Sequence, residues 1–193
     1  MVKTNIAVLV SGGGTNLQAL LDAQQAGKIP HGRIVLVVSN QPQAYALTRA
    51  AQAGIPTAVL TGPDFEARLT QVLKSAQVDL IILAGFMKIL SAQFTGQWPE
   101  RILNIHPSLI PSFCGPGFYG LRVHEAALAR GVKLTGATVH LVNEECDGGP
   151  ILLQKAVAVE PGDTPETLQK RVMVEAEWQL LPKALAMVCS DEV

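Results

Sequence analysis

The sequence has few of the features that mark nucleic-acid-binding or membrane proteins. Of its 193 residues only 16% are charged and 5% are aromatic, and the formal net charge is -1. So small a net charge provides no general attraction to nucleic acid or to an anionic membrane surface. We therefore expect small-molecule substrates as partners, and neither nucleic acid nor membrane.

Cysteine and long apolar runs are also scarce. Cys114, Cys146 and Cys189 are odd in number and form no CxxC pair, which argues against a disulfide framework and against a zinc site. The first apolar run, residues 6–10, is too short for a signal peptide or a membrane span. We expect a cytoplasmic protein without a bound metal, as a monomer or a homodimer.

The chain instead alternates between strand and helix patterns. Short runs rich in β-branched residues predict parallel strands at residues 6–10, 33–39, 57–60, 79–84 and 101–105, each buried on both faces. Helical patterns lie between them at 16–25, 44–53 and 65–76. Longer strands are predicted at 134–142 and 151–159, followed by a helix that opens at Thr164 and that Pro182 should bend or interrupt.

This alternation predicts an α/β fold, with one domain over residues 1–193. The sheet should be open and mostly parallel, with helices on both faces. In such sheets the ligand crevice lies outside the carboxyl ends of the strands. Residues in the turns that follow the predicted strands are therefore the first candidates for a functional site.

One such turn is rich in glycine and joins the first strand to the first helix. It reads Ser11-Gly12-Gly13-Gly14-Thr15-Asn16, and its backbone N–H groups and the helix N-terminus favour an anion. It lacks the third glycine of GxGxxG, where Leu17 stands, and no Gly-Lys-Ser/Thr follows. The turn predicts a site for a single phosphate, with a plain tight turn as the alternative.

A second group combines an amide, an imidazole and a carboxylate. Asn104 and His106 lie two apart at the end of the fifth predicted strand, so their side chains project to the same side. Asp147 precedes Gly148 and Gly149 in a turn between two later strands, where unusual backbone angles can point an acid inward. Taken singly, a histidine at a strand end is more typical of a hydrogen-bonded core residue, and an Asp-Gly pair is more typical of an ordinary turn. Only the coincidence of the three residues indicates a catalytic site.

Three motifs together resemble the formyltransferase domain of folate enzymes. They are Asn104-x-His106-Pro107-Ser108-Leu109-x-Pro111, then Gly136-Ala137-Thr138-Val139-His140, then Asp147-Gly148-Gly149-Pro150. The glycine-rich turn and Ala84-Gly85-Phe86-Met87 extend the resemblance over nearly the whole chain. It implies a Rossmann-like formyltransferase fold and 10-formyltetrahydrofolate as the formyl donor. The chain length favours the member that formylates glycinamide ribonucleotide in purine synthesis, since related enzymes carry an added domain.

The resemblance also implies a role for each matching residue. In catalysis, the Asn104 amide and a protonated His106 would donate hydrogen bonds to one oxyanion, while Asp147 would raise the pKa of His106 and help to move a proton. His140 would support them from the neighbouring strand. The ribonucleotide phosphate and ribose would contact Gly13, Gly14, Thr15, Asn16 and Glu177. The folate would contact Met87, Lys88, Ile89, Leu90, Asn104, Val142, Glu144 and Glu145.

The chain departs from the family pattern at several points. Lys88 stands where many members have arginine, residues 113–120 form a longer loop, and one residue is inserted between Val172 and Glu177. Two alternatives to the transferase remain at this stage. One is a deformylase, whose members usually have Asp-Glu-Gly where this chain has Asp147-Gly148-Gly149. The other is a noncatalytic nucleotide-binding module built on the glycine-rich turn.

Overall fold

A seven-stranded sheet forms the centre of the molecule, in a computed structural model that describes residues 3–190. The strand order across the sheet is β3-β2-β1-β4-β5-β6-β7. The strands are β1 (Thr4–Val10), β2 (Gly32–Ser39), β3 (Thr57–Val59), β4 (Leu80–Leu83), β5 (Ile102–His106), β6 (Leu134–Leu141) and β7 (Ile151–Ala158).

The first five strands pair in parallel, and β6 and β7 add an antiparallel hairpin to β5. The prediction of an open, mostly parallel sheet is confirmed. Side chains alternate along β1, so that Ile6 and Val8 enter one buried cluster while Ala7 and Leu9 enter the other. Both faces of the central strands are therefore apolar and both must be covered.

Helices cover both faces, as expected. Helices α1, α2, α6 and α7 contribute to one buried cluster, and α3 and α4 to the other. Leucines with helical spacing, such as Leu17 and Leu20 of α1 or Leu69 and Leu73 of α3, supply the buried stripes. The helices are α1 (Thr15–Gln25), α2 (Tyr45–Gln52), α3 (Phe65–Ser75), α4 (Ala92–Thr95), α5 (Leu121–Arg130), α6 (Pro165–Val172) and α7 (Trp178–Cys189).

Three elements differ from the prediction, and one of them is the short helix α4, which no sequence pattern indicated. Strand β3 is not buried on both faces, because Thr57 and Val59 are exposed at the edge of the sheet. Sequence patterns also did not indicate α5, which begins after the proline- and glycine-rich loop and ends at Gly131 in the left-handed conformation. The composition of that loop conceals a helix that starts directly at its end.

The C-terminal helical region begins as predicted and is interrupted at another place. Thr164 caps α6 in a capping box with Thr167. The helical hydrogen bonding then changes in a π-helical turn, Met173–Glu177, whereas Pro182 lies inside α7 and does not end it. A π-turn accommodates one extra residue within a helix. The turn is therefore compatible with the insertion that the family resemblance implies before Glu177.

Candidate active site

A cavity of about 510 Å³ opens at the carboxyl ends of β1, β4 and β5. This is the predicted place for a ligand crevice. All of the residues selected from the sequence line it, namely Gly13, Gly14, Thr15, Asn16, Met87, Lys88, Ile89, Leu90, Asn104, His106, His140, Val142, Glu144, Glu145, Asp147 and Glu177. The fold thus brings the three sequence motifs and the glycine-rich turn to one cavity.

The Asp147 carboxylate lies between the other polar groups of this cavity. Its Oδ2 is 3.5 Å from Nδ1 of His106, and its Oδ1 is 3.5 Å from Nε2 of His140. Asn104 Nδ2 lies 3.4 Å from Oδ1 of Asp147 and 3.1 Å from Nε2 of His140. The Asn104 amide and the His106 ring, expected to converge on a substrate oxygen, here converge on the two oxygens of Asp147.

Local structure explains how these side chains meet. Asn104 pairs with His140 across the β5–β6 ladder, so both project into the cavity from neighbouring strands. Asp147 has φ of 56°, in the left-handed region, which is one of the unusual backbone conformations expected in this turn. Gly149 is required beside it, because a Cβ there would lie 1.9 Å from the carbonyl oxygen of Leu141. The Asp-Gly-Gly sequence therefore permits a turn that larger residues could not form.

The hydrogen bonds of His106 determine which ring nitrogen carries the proton. Its Nε2 lies 2.8 Å from the carbonyl oxygen of Phe113, which can only accept a hydrogen bond, so Nε2–H is the donor. Nδ1 is then the nitrogen that faces Asp147. Burial lowers the pKa of His106, and this effect outweighs the opposite effects of Asp147 and the Phe113 carbonyl. Asp147 raises the pKa of His106, as expected, but the larger effect of burial could not be seen in the sequence.

Asp147 remains ionised although it is largely buried. Burial alone would raise its pKa, but the hydrogen bond with His140, the charge of His106 and the Gly115 N–H lower it below the usual value. The Gly115 N–H donates to Asp147 Oδ2 at 2.9 Å. A carboxylate that faces a neutral imidazole is arranged to stabilise that ring when it takes up a proton.

The glycine-rich turn forms one end of the cavity. Gly14 has φ of 72°, and a Cβ there would lie 2.6 Å from the Ala46 side chain. Arg49 donates from Nε to the Gly13 carbonyl at 2.8 Å and so braces the turn. Asn16 follows directly, at the start of α1. Only glycine fits position 14 without strain, and the turn leaves backbone close to the cavity.

Glu177 is buried at the same end of the cavity. Asn16 Nδ2 donates to Glu177 Oε2 at 2.6 Å, and Glu177 is 5% exposed. Burial raises the pKa of Glu177 to about 7, and the Asn16 hydrogen bond opposes this only in part. Glu177 is therefore a buried polar group of the cavity, and not a solvated helix residue.

The opposite wall of the cavity is apolar with polar edges. Met87 and Ile89 are exposed, whereas Leu90 is buried. The Lys88 ammonium lies 4.5 Å from the centre of the Phe65 ring. The Met87 N–H donates to Ser11 Oγ at 2.8 Å, which connects this wall to the glycine-rich turn. A flat heterocycle with a polar rim suits such a slot.

Some residues of the cavity were not selected from the sequence. Gly115 contributes only a backbone N–H, for which no side-chain motif exists. Gln169 and Met173 line the cavity beside Glu177. Gln169, Met173 and Glu177 are four residues apart, and helical residues at this spacing share a face. The sequence therefore did indicate that Gln169 and Met173 lie beside Glu177.

Residues 3–190 contain neither a cluster of side chains placed to bind a metal nor a helix that could span a membrane. Within that range, no group of three or more His, Cys, Asp and Glu side chains is placed to hold a metal ion. Nor does any helix there combine the length and apolarity needed to cross a membrane.

The chain belongs to the formyl transferase family, whose model matches residues 4–185. The resemblance drawn from the three motifs is thereby confirmed. The chain is 46% identical to the phosphoribosylglycinamide formyltransferase of Haemophilus influenzae, with 92% of this chain and 83% of that protein covered. It is similar to a crystal structure of phosphoribosylglycinamide formyltransferase from Brucella melitensis, at 43% identity and a TM-score of 0.88, over 97% of this chain and 96% of that one.

Some relatives are much longer proteins. The chain is 46% identical to the trifunctional purine biosynthetic protein adenosine-3 of Drosophila melanogaster over 96% of its own length. It spans only 14% of that protein, and 19% of the protein of the same name from Gallus gallus. The similarity therefore concerns one part of these trifunctional proteins.

Proposed function

We propose that this chain transfers the formyl group of 10-formyltetrahydrofolate to the amine of glycinamide ribonucleotide, a step of purine synthesis. The observation that carries the proposal is the His106–Asp147 pair, with Nδ1 and Oδ2 3.5 Å apart, in a cavity that also contains the glycine-rich turn. The names of the similar proteins from Haemophilus influenzae and Brucella melitensis support the same reaction.

The two ends of the cavity suit the two substrates. The ribonucleotide phosphate binds the backbone at Gly13, Gly14 and Thr15, at the N-terminus of α1. Glu177 and Asn16 lie next to this phosphate site and bond the ribose hydroxyls. The folate ring enters the apolar slot, whose contacts are Met87, Lys88, Ile89, Leu90, Asn104, Val142, Glu144 and Glu145. The reacting amine and formyl carbon then meet near His106.

His106 and Asp147 manage the proton of the reaction. When the substrate amine attacks the formyl carbon, a C–N bond forms and the nitrogen must lose a proton. Neutral His106 accepts it at Nδ1, and the Asp147 carboxylate stabilises the imidazolium. His106 then returns the proton to the folate nitrogen as its bond to the formyl carbon breaks.

Asn104 stabilises the charge that develops on the formyl oxygen. Its Nδ2 lies at the end of β5, beside His140 and Asp147. A shift of this amide toward substrate presents an N–H donor to the oxyanion. The second donor is the Nδ1–H of the protonated His106. His140 donates from Nδ1 to the Leu141 carbonyl, and its Nε2 accepts a hydrogen bond from the Asn104 amide and so supports the position of that amide.

An amine-dependence assay tests the proposal. Formyl loss from 10-formyltetrahydrofolate is measured with and without glycinamide ribonucleotide, and we expect donor turnover only with the amine present. Addition of a metal chelator serves as a second arm and should leave the rate unchanged. Equal donor turnover without the amine would instead identify a deformylase, with water in place of the amine. The absence of any turnover would leave only a binding function for the cavity.

A further inference from the structure

One short loop contacts both members of the catalytic pair through its backbone. The Phe113 carbonyl accepts from His106 Nε2 at 2.8 Å, and the Gly115 N–H donates to Asp147 Oδ2 at 2.9 Å. That same Oδ2 is the oxygen that faces His106 Nδ1. The loop therefore restrains the pair from both sides, although none of its side chains belongs to the family motifs.

The Phe113 contact has a chemical consequence for His106. With the proton on Nε2, the neutral ring has its lone pair on Nδ1, facing Asp147. Only in this tautomer can Nδ1 accept a proton from substrate. The other tautomer would place an N–H toward Asp147 and leave the Phe113 carbonyl without its donor. The loop thus selects the tautomer that acts as a base.

The loop conformation itself needs support. Phe113 has φ of 50°, in the left-handed region that bulky residues rarely occupy. Its ring packs against Phe118 edge to face, with centroids 6.4 Å apart, a favourable aromatic arrangement. The Phe118 N–H also donates to the Gly115 carbonyl at 3.1 Å and closes the turn between them.

We propose that Phe113 and Phe118 are positioning residues whose ring contact holds the Phe113 carbonyl in place and so fixes His106 in the Nε2–H tautomer. The effect on rate rests on the proposed function. The tautomer is a property of the protein without substrate, and can be measured whether or not the chain transfers formyl groups.

The tautomer is measured first, by ¹⁵N NMR of protein labelled at the imidazole nitrogens. The His106 signals are assigned by their loss in His106→Asn, and spectra are taken at about pH 8, above the lowered His106 pKa. We expect the proton on Nε2 of the neutral ring. A neutral ring with its proton on Nδ1 would overturn the proposal without any need for a loop variant.

Loop variants then test the ring contact. Phe118→Ala should give a mixture of tautomers and lower kcat between about 10- and 100-fold, with both KM values within about two-fold of wild type. Phe118→Tyr keeps a ring and should restore the single tautomer. Ser112→Ala, which changes an exposed side chain of the same loop, is the matched control and should resemble wild type.

The outcomes separate the two proposals. An unchanged tautomer in folded Phe118→Ala refutes the positioning role, and so does a change confined to KM, which would make Phe118 a simple binding contact. If Phe118→Ala alters the tautomer while the wild-type protein transfers no formyl group, the positioning role stands and the proposed function fails. Circular dichroism and Tm identify any variant that does not fold.

Discussion

At the scale of single residues, Asp147 has the largest number of polar contacts in the cavity. It faces His106, His140 and Asn104 through side chains, and it accepts the Gly115 backbone N–H. Its carboxylate stays charged next to a histidine whose pKa is lowered by burial. The pair is therefore set up to receive one proton, which is the demand of amine acylation.

Replacing Asp147 with Asn should reduce kcat and leave binding largely unchanged. The shape is nearly kept, but the imidazolium of His106 loses the charge that stabilises it, so kcat should fall about 10²- to 10⁴-fold. The measurement is kcat and both KM values for Asp147→Asn, His106→Asn and the double variant. Because the two residues act as a unit, the double variant should lose little more than the worse single variant. A folded Asp147→Asn with near wild-type kcat would remove Asp147 from the mechanism.

Glu177 makes stability depend on pH in a direction opposite to that of most carboxylates. Burial raises its pKa from 4.5 to about 7 in the folded protein. Between these values the folded state keeps a proton that the unfolded chain has lost, so the free energy of unfolding falls as the pH rises. Each pH unit in this window changes the folding equilibrium about ten-fold.

Glu177→Gln should therefore stabilise the protein at high pH only. We expect a Tm close to wild type at about pH 5 and a higher Tm than wild type at about pH 8, since the glutamine cannot ionise. Glu175→Gln, at an exposed neighbouring position, is the control and should change little at either pH. Parallel pH profiles for Glu177→Gln and wild type would show that Glu177 is not buried as described.

At the scale of elements, the glycine-rich turn and the π-turn shape the end of the cavity at which we propose that the ribonucleotide binds. The first turn brings backbone N–H groups to the start of α1, and the second carries Glu177 onto the same wall. Asn16 connects the two turns through its hydrogen bond to Glu177. The phosphate and ribose sites that we propose would thus depend on two irregular pieces of backbone that are far apart in sequence.

Gly14→Ala should weaken ribonucleotide binding specifically. The new Cβ would clash with Ala46 and require a positive φ, so the N–H groups of the turn would shift away from the phosphate. Loss of a hydrogen bond to a charged group corresponds to about a 10- to 100-fold rise in the ribonucleotide KM. Gly12→Ala is the matched control, since its added Cβ meets no atom within 4 Å. A rise confined to the folate KM would contradict the phosphate assignment.

At the scale of the whole molecule, stability comes from the middle of the sheet and declines toward its edge at β3. Strand β4 is buried along its entire length, whereas Thr57 and Val59 at either end of β3 are exposed. Strand β5, which carries Asn104 and His106, lies next to β4, so the candidate site is built beside the most buried part of the sheet. The binding turns and the 113–118 loop extend from that part.

Two alanine substitutions should show that stability declines from β4 to the edge strand β3. Ile82→Ala on β4 removes a fully buried side chain and should lower the free energy of unfolding by about 2–5 kcal/mol. Val59→Ala on β3 removes one that is 39% exposed and should cost less than about 1 kcal/mol. Urea unfolding of both variants measures the difference, and equal losses would contradict a stability centred on β4.

The sequence by itself determined the strands, most of the helices and the location of the site. Alternation along β1, leucine spacing in α1 and α3, and turn residues such as Gly14 act within a few neighbouring positions, and such local rules can be read from the chain. Helices α4 and α5 and the π-turn escaped them, because α4 is only one turn long, a proline- and glycine-rich loop precedes α5, and no local pattern marks a π-turn.

Only the tertiary structure decided which ring nitrogen of His106 carries the proton, that burial lowers its pKa, and that Glu177 is buried beside Asn16. The sequence selected these residues and gave the direction in which Asp147 shifts the pKa of His106, but it did not show the burial that outweighs this effect. Desolvation and hydrogen bonding depend on everything that packs around a group, including backbone atoms such as the Phe113 carbonyl that no motif specifies. Those surroundings exist only once distant segments have folded together.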